Sequence, residues 1–502
     1  MIMRRLTCLL GIVCFLAGCG GSVPEDLQGR SRDQPKWFED AKLGIFIHWG
    51  LPSVPAFAAG DPLQPGELEE ILLGGDSRSE LPYSEWYLNS KAYPNSATAL
   101  FHRHHYGDAP YRDFQPKFEA NVNEGWDPDA WAALFERSGA RYVVLVGKHH
   151  DGYSLWPTAV ENPHRPQWHS PRDLVGELAQ AVRDRGMRFG IYYSTGLDWS
   201  FKMVTEGDFV SDVMRSAPAS QAYADYAYQQ SIELIDRYAP AVFWADIGYP
   251  SKGRLAELFK HYFQQVPDGA VNDRWGPVDV LGQIAEWPGG TWVLKTLSAW
   301  MLEDQASDIL DDPKRLGFKT AEYSNLSDTA PFKWESTRGL GGSFGFNRNE
   351  TSADMLTGGE LITYLVDTVA KNGNVLINVG PDSYGAIPGI QQAPLRELGN
   401  WLELNGEAIY HTRPWQRFNN KTGRELRYTE SAGALYAIVT GAVEEQFTVE
   451  DPGIEFSAVE VLGAKVLAVR KATGSLVLAL DKSVAAAAVV VRYTKKQADT
   501  KL

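Results

Sequence analysis

The sequence predicts an α/β protein, a (β/α) barrel followed by a C-terminal antiparallel β-sandwich. Three observations predict it. Short apolar runs recur along the chain as far as residue 379, and several end in a residue capable of chemistry. Amphipathic stretches lie between several of these runs. After Pro414 the texture changes to short strand-like runs separated by Gly, Asp and Pro. Strands of a parallel barrel are covered on both faces, so they read as near-continuous apolar runs, and their C-terminal ends gather at one mouth.

Taken in order, Leu43-Gly44-Ile45-Phe46-Ile47 leads into His48-Trp49, and Tyr142-Val143-Val144-Leu145-Val146 into His149-His150-Asp151. Phe189-Gly190-Ile191 leads into Tyr192-Tyr193, and Ala241-Val242-Phe243-Trp244 into Asp246. Ala270-Val271-Asn272 leads to Arg274, Phe318-Lys319-Thr320 to Glu322, and Asn374 to Val379 into Gly380-Pro381. Helices are expected at Asp127–Ser138, Ser170–Arg185, Ala222–Tyr238, Gly358–Lys371 and Ile390–Tyr410. Asp127-Pro128 and Ser170-Pro171 pair a capping side chain with proline at the first helical position. Gly186 suits the far end of the second helix. In the sandwich, Leu435–Val439, Val459–Leu462 and Val489–Val491 read as strands, and the end from Lys495 onward reads as frayed. The connection from Gly276 to Gly317 holds Trp287, Trp292 and Trp300 among acidic residues and is long for a barrel link.

The bulk properties narrow the class. A chain of 502 residues accommodates a barrel plus a second domain, and 44% hydrophobic residues supply a large core. The net charge of -15 argues against nucleic acid, whose binding needs clustered Lys and Arg. At the N-terminus, Arg4-Arg5 precedes the apolar run Leu9–Leu16 and then Ala17-Gly18-Cys19. A short basic region, an apolar stretch too short to span a bilayer and small residues before a cut site describe an export signal. The ending Leu16-Ala17-Gly18-Cys19 resembles a bacterial lipobox, which makes Cys19 the expected lipidation site and the cell envelope, at the outer membrane or facing the periplasm, the expected location. All three cysteines, Cys8, Cys14 and Cys19, lie at or before that point, leaving none for a disulfide or a thiolate-bound metal. The expected organisation is a signal peptide over 1–18, a tether over 19–35, a barrel catalytic domain over 36–412 and a sandwich over 413–495.

Asp246 and Glu322 each end a strand-like run, so both are expected at the barrel mouth. Two carboxylates at one mouth are the minimal set for glycoside hydrolysis, one attacking or activating water and the other protonating the leaving oxygen. His149-His150-Asp151 and His102-Arg103-His104-His105 raise metal binding as an alternative. Adjacent strand residues point to opposite faces, however, and no His-x-His lies on a barrel strand, so no metal is expected. The 102–105 run reads as a loop.

The run Trp37 to Gly50 with Ser53-Val54-Pro55 closely resembles the opening of the α-L-fucosidases of glycoside hydrolase family 29. Ser84-Glu85-Trp86-Tyr87, Lys148-His149-His150-Asp151-Gly152, Phe243-Trp244-Ala245-Asp246, Val271 to Trp275, Lys319 to Tyr323, Lys333 to Gly339 and Ser343 to Asn347 match in the same order. The resemblance implies an exo-acting, retaining enzyme that removes terminal α-L-fucose from glycans without metal or organic cofactor. It implies Asp246 as nucleophile and Glu322 as acid/base, with Glu335 and Glu85 as the competing carboxylates. It implies His48, Glu85, Trp86, His149, His150, Tyr192 and Arg274 as fucose-binding residues, with Tyr193 as the alternative to Tyr192, and Phe344 against the sugar's methyl group. Both histidines reach the sugar only if strand alternation breaks at that point. The implied partner is a fucosylated oligosaccharide or glycoconjugate, with the membrane reached through a lipid anchor. Other readings are a fucose-binding surface lipoprotein without catalysis and a related enzyme such as an α-L-galactosidase.

Overall fold

The computed structural model describes residues 34–60, 81–206, 209–287, 289–290, 317–421 and 423–496. The expected signal peptide, Cys19, most of the tether and much of the 276–317 connection, including Trp292 and Trp300, lie outside the described residues.

Eight strands form one parallel sheet: β1 (Leu43–Ile47), β2 (Tyr142–Lys148), β3 (Arg188–Ser194), β4 (Val242–Asp246), β5 (Ala270–Val271), β6 (Lys319–Glu322), β7 (Trp334–Gly339) and β8 (Gly373–Val379). Their order is β5-β4-β3-β2-β1-β8-β7-β6. A single parallel bridge between Asn272 and Phe318, with the Phe318 N–H donating to the Val271 carbonyl at 2.9 Å, joins the two edge strands. Closure joins the two edges of this sheet and brings all eight strand ends to one mouth. β5 is only two residues long, and the Asn272 side chain extends its ladder. Its amide accepts from the Ala245 N–H at 3.0 Å and donates to the Ala245 carbonyl at 2.7 Å. Asp246, the next residue, is thereby fixed at the top of β4.

Alternation sorts the side chains. Leu43, Ile45 and Ile47 of β1 and Val143 and Leu145 of β2 face the helices and join the main core, whereas Phe46, Tyr142, Val144, Tyr192, Val242, Trp244 and Leu376 fill the barrel. The helix Lys36–Ala41 closes the lower end, with Phe38 fully buried and stacked on Phe318 at 4.5 Å. Gly44 faces this interior because a Cβ there would lie 2.4 Å from the Tyr142 ring. That ring has no retreat, since its hydroxyl donates to Glu335 at 2.5 Å.

The helices follow the sequence reading with three corrections. The helix expected from Ser170 is Leu174–Asp184, because Asp173 supplies the cap, accepting from the Gly176 N–H at 2.9 Å. The last barrel helix is Gly389–Asn405, and a 3-10 turn at Gly406–Ala408 replaces its expected end. The 102–105 run is no loop but the second half of the helix Ala97–Tyr106, capped by Ser96. His102 is buried between the Tyr87 hydroxyl and the Ala109 carbonyl, while His104 and His105 face solvent.

The C-terminal region consists of β9 (Arg413–Asn419), β10 (Leu426–Glu430), β11 (Ala434–Thr440), β12 (Gln446–Glu450), β13 (Phe456–Val461), β14 (Val466–Ala472), β15 (Ser475–Leu480) and β16 (Ala488–Lys495). They form antiparallel sheets ordered β13-β16-β11-β10-β9 and β12-β15-β14 around a separate core that includes Tyr428, Val439, Leu478 and Val491. Lys495 is not frayed. It ends β16, and its ammonium donates to Glu430 at 2.7 Å.

Gly44→Ala tests the filled interior. Overpacking against the pinned Tyr142 ring should lower stability by about 1–3 kcal/mol, measured as a fall in denaturation midpoint at unchanged m-value. An unchanged midpoint would show that the ring has room to move.

Candidate active site

The strand ends supply a ring of polar side chains around two carboxylates. Asp246 is the last residue of β4 and Glu322 the last of β6. Each is followed by a residue in the left-handed region, Ile247 at φ 50° and Tyr323 at φ 48°. A β-branched or bulky residue there is strained, and such strain is held where surrounding contacts over-determine the backbone. Here it turns the chain sharply just after each carboxylate.

Arg274 joins the two carboxylates. Its Nη1 donates to Asp246 Oδ1 at 2.9 Å, its Nη2 to Glu322 Oε2 at 3.1 Å, and its Nε to Thr320 Oγ1 at 3.0 Å. The planar fork suits this double engagement. Asp246 also accepts from the Tyr192 hydroxyl at 3.0 Å and from the Ile247 N–H at 2.9 Å. Tyr83 Oη lies 3.5 Å from Glu322 Oε1. Burial raises the Glu322 carboxyl above its ordinary range; Arg274 opposes the shift and the Asp246 charge adds to it.

Three neutral histidines face these groups. Strand β2 ends at Lys148, and its register against β3 shifts between Val146 and Lys148. Alternation is thus broken just before His149 and His150, and both enter the mouth. Lys148 turns outward into a buried ion pair with Asp198 at 2.7 Å. His150 Nδ1 lies 2.7 Å from Ser194 Oγ, whose proton goes to the Leu197 carbonyl. Nδ1 is therefore the donor, and Nε2, buried and without a hydrogen-bond partner 3.7 Å from Asp246 Oδ2, presents a lone pair. His48 Nδ1 is paired with Asn378 Oδ1 at 2.7 Å, and the same amide donates to the Phe344 carbonyl, so His48 Nε2 is also left as an acceptor. His149 Nδ1 is buried and unpartnered. Burial holds His48 down at about 4 and His150 at about 3, and lowers His149 well below its ordinary value.

Rings complete the walls. An arc runs from Phe344 through His48, His149 and His150 to Trp86, with neighbouring centroids 4.9, 5.6, 4.1 and 5.2 Å apart. Trp199 braces the far end at 5.4 Å from His150. Phe46 lies against Trp244, Tyr192 and Phe344, forming an apolar cup under His48. Glu85 sits beside the Phe344 loop, where its carboxylate accepts from the Gly345 N–H at 2.8 Å. A Cβ on Gly345 would press into Ser84 Oγ at 2.6 Å. Burial pushes the Glu85 carboxyl up to about 8.

Neutral acceptors, a buried carboxyl of raised pKa, an apolar cup and a guanidinium-linked carboxyl pair match the needs of a deoxy sugar and of glycoside cleavage. The profile of the family described as Alpha-L-fucosidase matches residues 23–407. The chain belongs to the α-L-fucosidase family. It is 32% identical to an α-L-fucosidase of Dictyostelium discoideum over 434 residues, 82% of this chain and 79% of that one. It is 32% identical to the plasma α-L-fucosidase of Homo sapiens over 413 residues, 80% of this chain and 74% of that one. Among solved structures, the Thermotoga maritima α-fucosidase in complex with fucose superimposes with a TM-score of 0.75 at 36% identity, covering 94% of this chain and all of that one.

Within this fucosidase-family site the structure brings together Asp246, Glu322, Arg274, Tyr192, His48, His149, His150, Glu85, Trp86 and Phe344. Of the tyrosine pair, Tyr192 points inward and Tyr193 outward, where its hydroxyl donates to Gln230 at 2.8 Å. Glu335 lies apart from the mouth, inside the barrel, donated to by the Tyr142 hydroxyl and by Trp244 Nε1 at 3.1 Å. Among the described residues no group of three His, Cys, Asp or Glu is arranged to hold a metal ion. Sequence reasoning passed over Phe46, Trp244, Tyr83, Ser194, Thr320 and Asn378. Phe46 and Trp244 sit two residues before His48 and Asp246, so period-two counting back from the strand ends would have found them.

The tyrosine pair gives a direct test. A hydrogen bond to a charged group contributes about 1.5–3 kcal/mol, so Tyr192→Phe should lower kcat/KM on an aryl α-L-fucoside by about ten- to a hundredfold. Tyr193→Phe should leave it within about twofold. The reverse ranking would contradict the assigned facing.

Proposed function

We propose that this chain hydrolyses terminal α-L-fucosides by double displacement, with Asp246 as nucleophile and Glu322 as acid/base. The observation that carries the reading is Arg274 engaging both carboxylates at one mouth. In the first step the anomeric carbon bonds to an Asp246 carboxylate oxygen as the glycosidic bond breaks, and Glu322 gives its proton to the departing oxygen. In the second, Glu322 takes a proton from water, which attacks the anomeric carbon and releases Asp246. Two inversions leave the configuration retained. Tyr192 and Arg274 hold Asp246 in place for attack, and Arg274 stabilises its charge when it leaves again.

His48 Nε2, His149 Nδ1 and His150 Nε2 accept from the sugar hydroxyls, and protonated Glu85 donates. Phe46, Phe344 and Trp244 receive the methyl group. A cup of rings offers no polar partner to a hydroxymethyl group, which favours the 6-deoxy sugar over α-L-galactose. The natural substrate is a fucosylated oligosaccharide or glycoconjugate.

Asp246→Ala should be almost inactive while remaining folded. Glu322→Ala should lose about 10²–10⁴-fold on substrates with poor leaving groups and much less on activated aryl fucosides. Azide should restore the latter variant and yield an α-fucosyl azide, the product of two inversions. Retained turnover in Asp246→Ala, or absent rescue in Glu322→Ala, would contradict the roles. The acid must be protonated in the first step, so wild-type activity should fall as pH rises through the raised Glu322 value, and Glu322→Gln should lack that limb.

We also propose that Cys19 is lipidated and anchors the enzyme to the cell envelope, with residues 20–35 as tether. Cys19→Ala should move the protein from the membrane fraction to the soluble fraction. An unchanged distribution would oppose the anchor.

A further inference from the structure

We infer that Glu335 is a positioning residue, acting through Trp244 to hold the two side chains that orient Asp246. This rests on Asp246 being the nucleophile.

Glu335 pairs with Thr320 in the β6–β7 ladder, one inward-facing step below the level of Glu322 and Thr337. It is fully buried. Both its oxygens are engaged, one by the Tyr142 hydroxyl from β2 and the other by Trp244 Nε1 from β4. A carboxyl committed this way beneath the site has no path to a leaving oxygen. The indole is the connection. One of its faces stacks on Tyr192, with centroids 5.5 Å apart and planes 21° apart, and the Arg274 guanidinium carbon lies 5.0 Å from the ring centroid. Tyr192 and Arg274 are the two side chains that donate to Asp246, at 3.0 and 2.9 Å. Nothing but Glu335 accepts the indole N–H among the described contacts. An orphaned buried N–H is unfavourable enough to rotate the ring toward another acceptor. Rotation would remove the surface that Tyr192 and Arg274 rest on, and the nucleophile would lose its alignment.

A purely structural residue, an acid/base and a positioning residue give different results on an aryl α-L-fucoside. Glu335→Leu fills the space but leaves the indole without an acceptor, and kcat should fall by about 10²-fold with KM nearly constant. Glu335→Gln keeps a carbonyl for the indole and an amide N–H for the Tyr142 oxygen, and should stay within about threefold of wild type. Trp244→Phe removes the donor, so adding Glu335→Leu to it should lower kcat by no more than about twofold further. Azide should neither accelerate Glu335→Ala nor yield a fucosyl azide. The inference is overturned if Gln is as damaging as Leu, if azide rescues, or if the two single effects simply multiply. Thermal unfolding of each variant separates lost alignment from lost fold, and should Glu335→Leu not fold, the Gln and azide results decide alone. Asp246→Ala on the same substrate keeps the two claims apart. Residual turnover there defeats the nucleophile assignment, whereas an inactive Asp246→Ala beside a fully active Glu335→Leu defeats only the positioning role.

Discussion

Two carboxylates must share one buried mouth, and the Arg274 fork between them makes that arrangement tenable. Close carboxylates repel and burial strips their hydration, so without a cation between them the pair would separate or lose the charge on Asp246 as well as on Glu322. A guanidinium donating to both supplies attraction, geometry and a fixed distance at once. The remaining site is built to keep that fork in place. Thr320 holds its Nε, Trp244 lies under its plane, and the Asn272 amide completes the ladder beside Ala245 so that Asp246 emerges at the right height.

The histidine wall depends on a second device. Regular alternation along β2 would send His149 and His150 to opposite sides. The register shift at the end of the strand sends Lys148 outward instead, where its buried pair with Asp198 ties the end of β2 to the loop after β3. That loop returns Trp199 against His150, and the Trp199 N–H donates to the His150 carbonyl at 2.7 Å. A buried ion pair is weak evidence of stability. This one joins the end of β2 to the loop after β3, whose side chains His150 and Trp199 meet at the mouth. Deep burial keeps all three histidines neutral, so they present acceptor nitrogens to the mouth and add no positive charge beside Asp246.

Much of the fold was legible because buried parallel strands write themselves as apolar runs. Asp246 and Glu322 were found as the residues where such runs stop. The motifs around them also carried the family resemblance. What was illegible depended on facing and on polar context. Tyr192 and Tyr193 are equivalent until the register against β4 is known. Glu335 resembled a site carboxylate, because the sequence does not say that it sits one step lower in the barrel. The helix Ala97–Tyr106 lacks a clean apolar stripe and its histidines masked it, while Ser170-Pro171 outshone the working cap at Asp173. Among the sandwich strands, β9, β10, β12, β14 and β15 escaped notice; Lys495 was read as loose because its ion pair with Glu430 is a tertiary contact.

The measurement that tests the account most directly is NMR of the anomeric proton during hydrolysis of an aryl α-L-fucoside by protein beginning after Cys19. Attack by Asp246 followed by water predicts α-L-fucose as the first product, with the β-anomer appearing only as mutarotation proceeds. Initial release of β-L-fucose would mean a single displacement by water, and Asp246 would then be a base rather than a nucleophile.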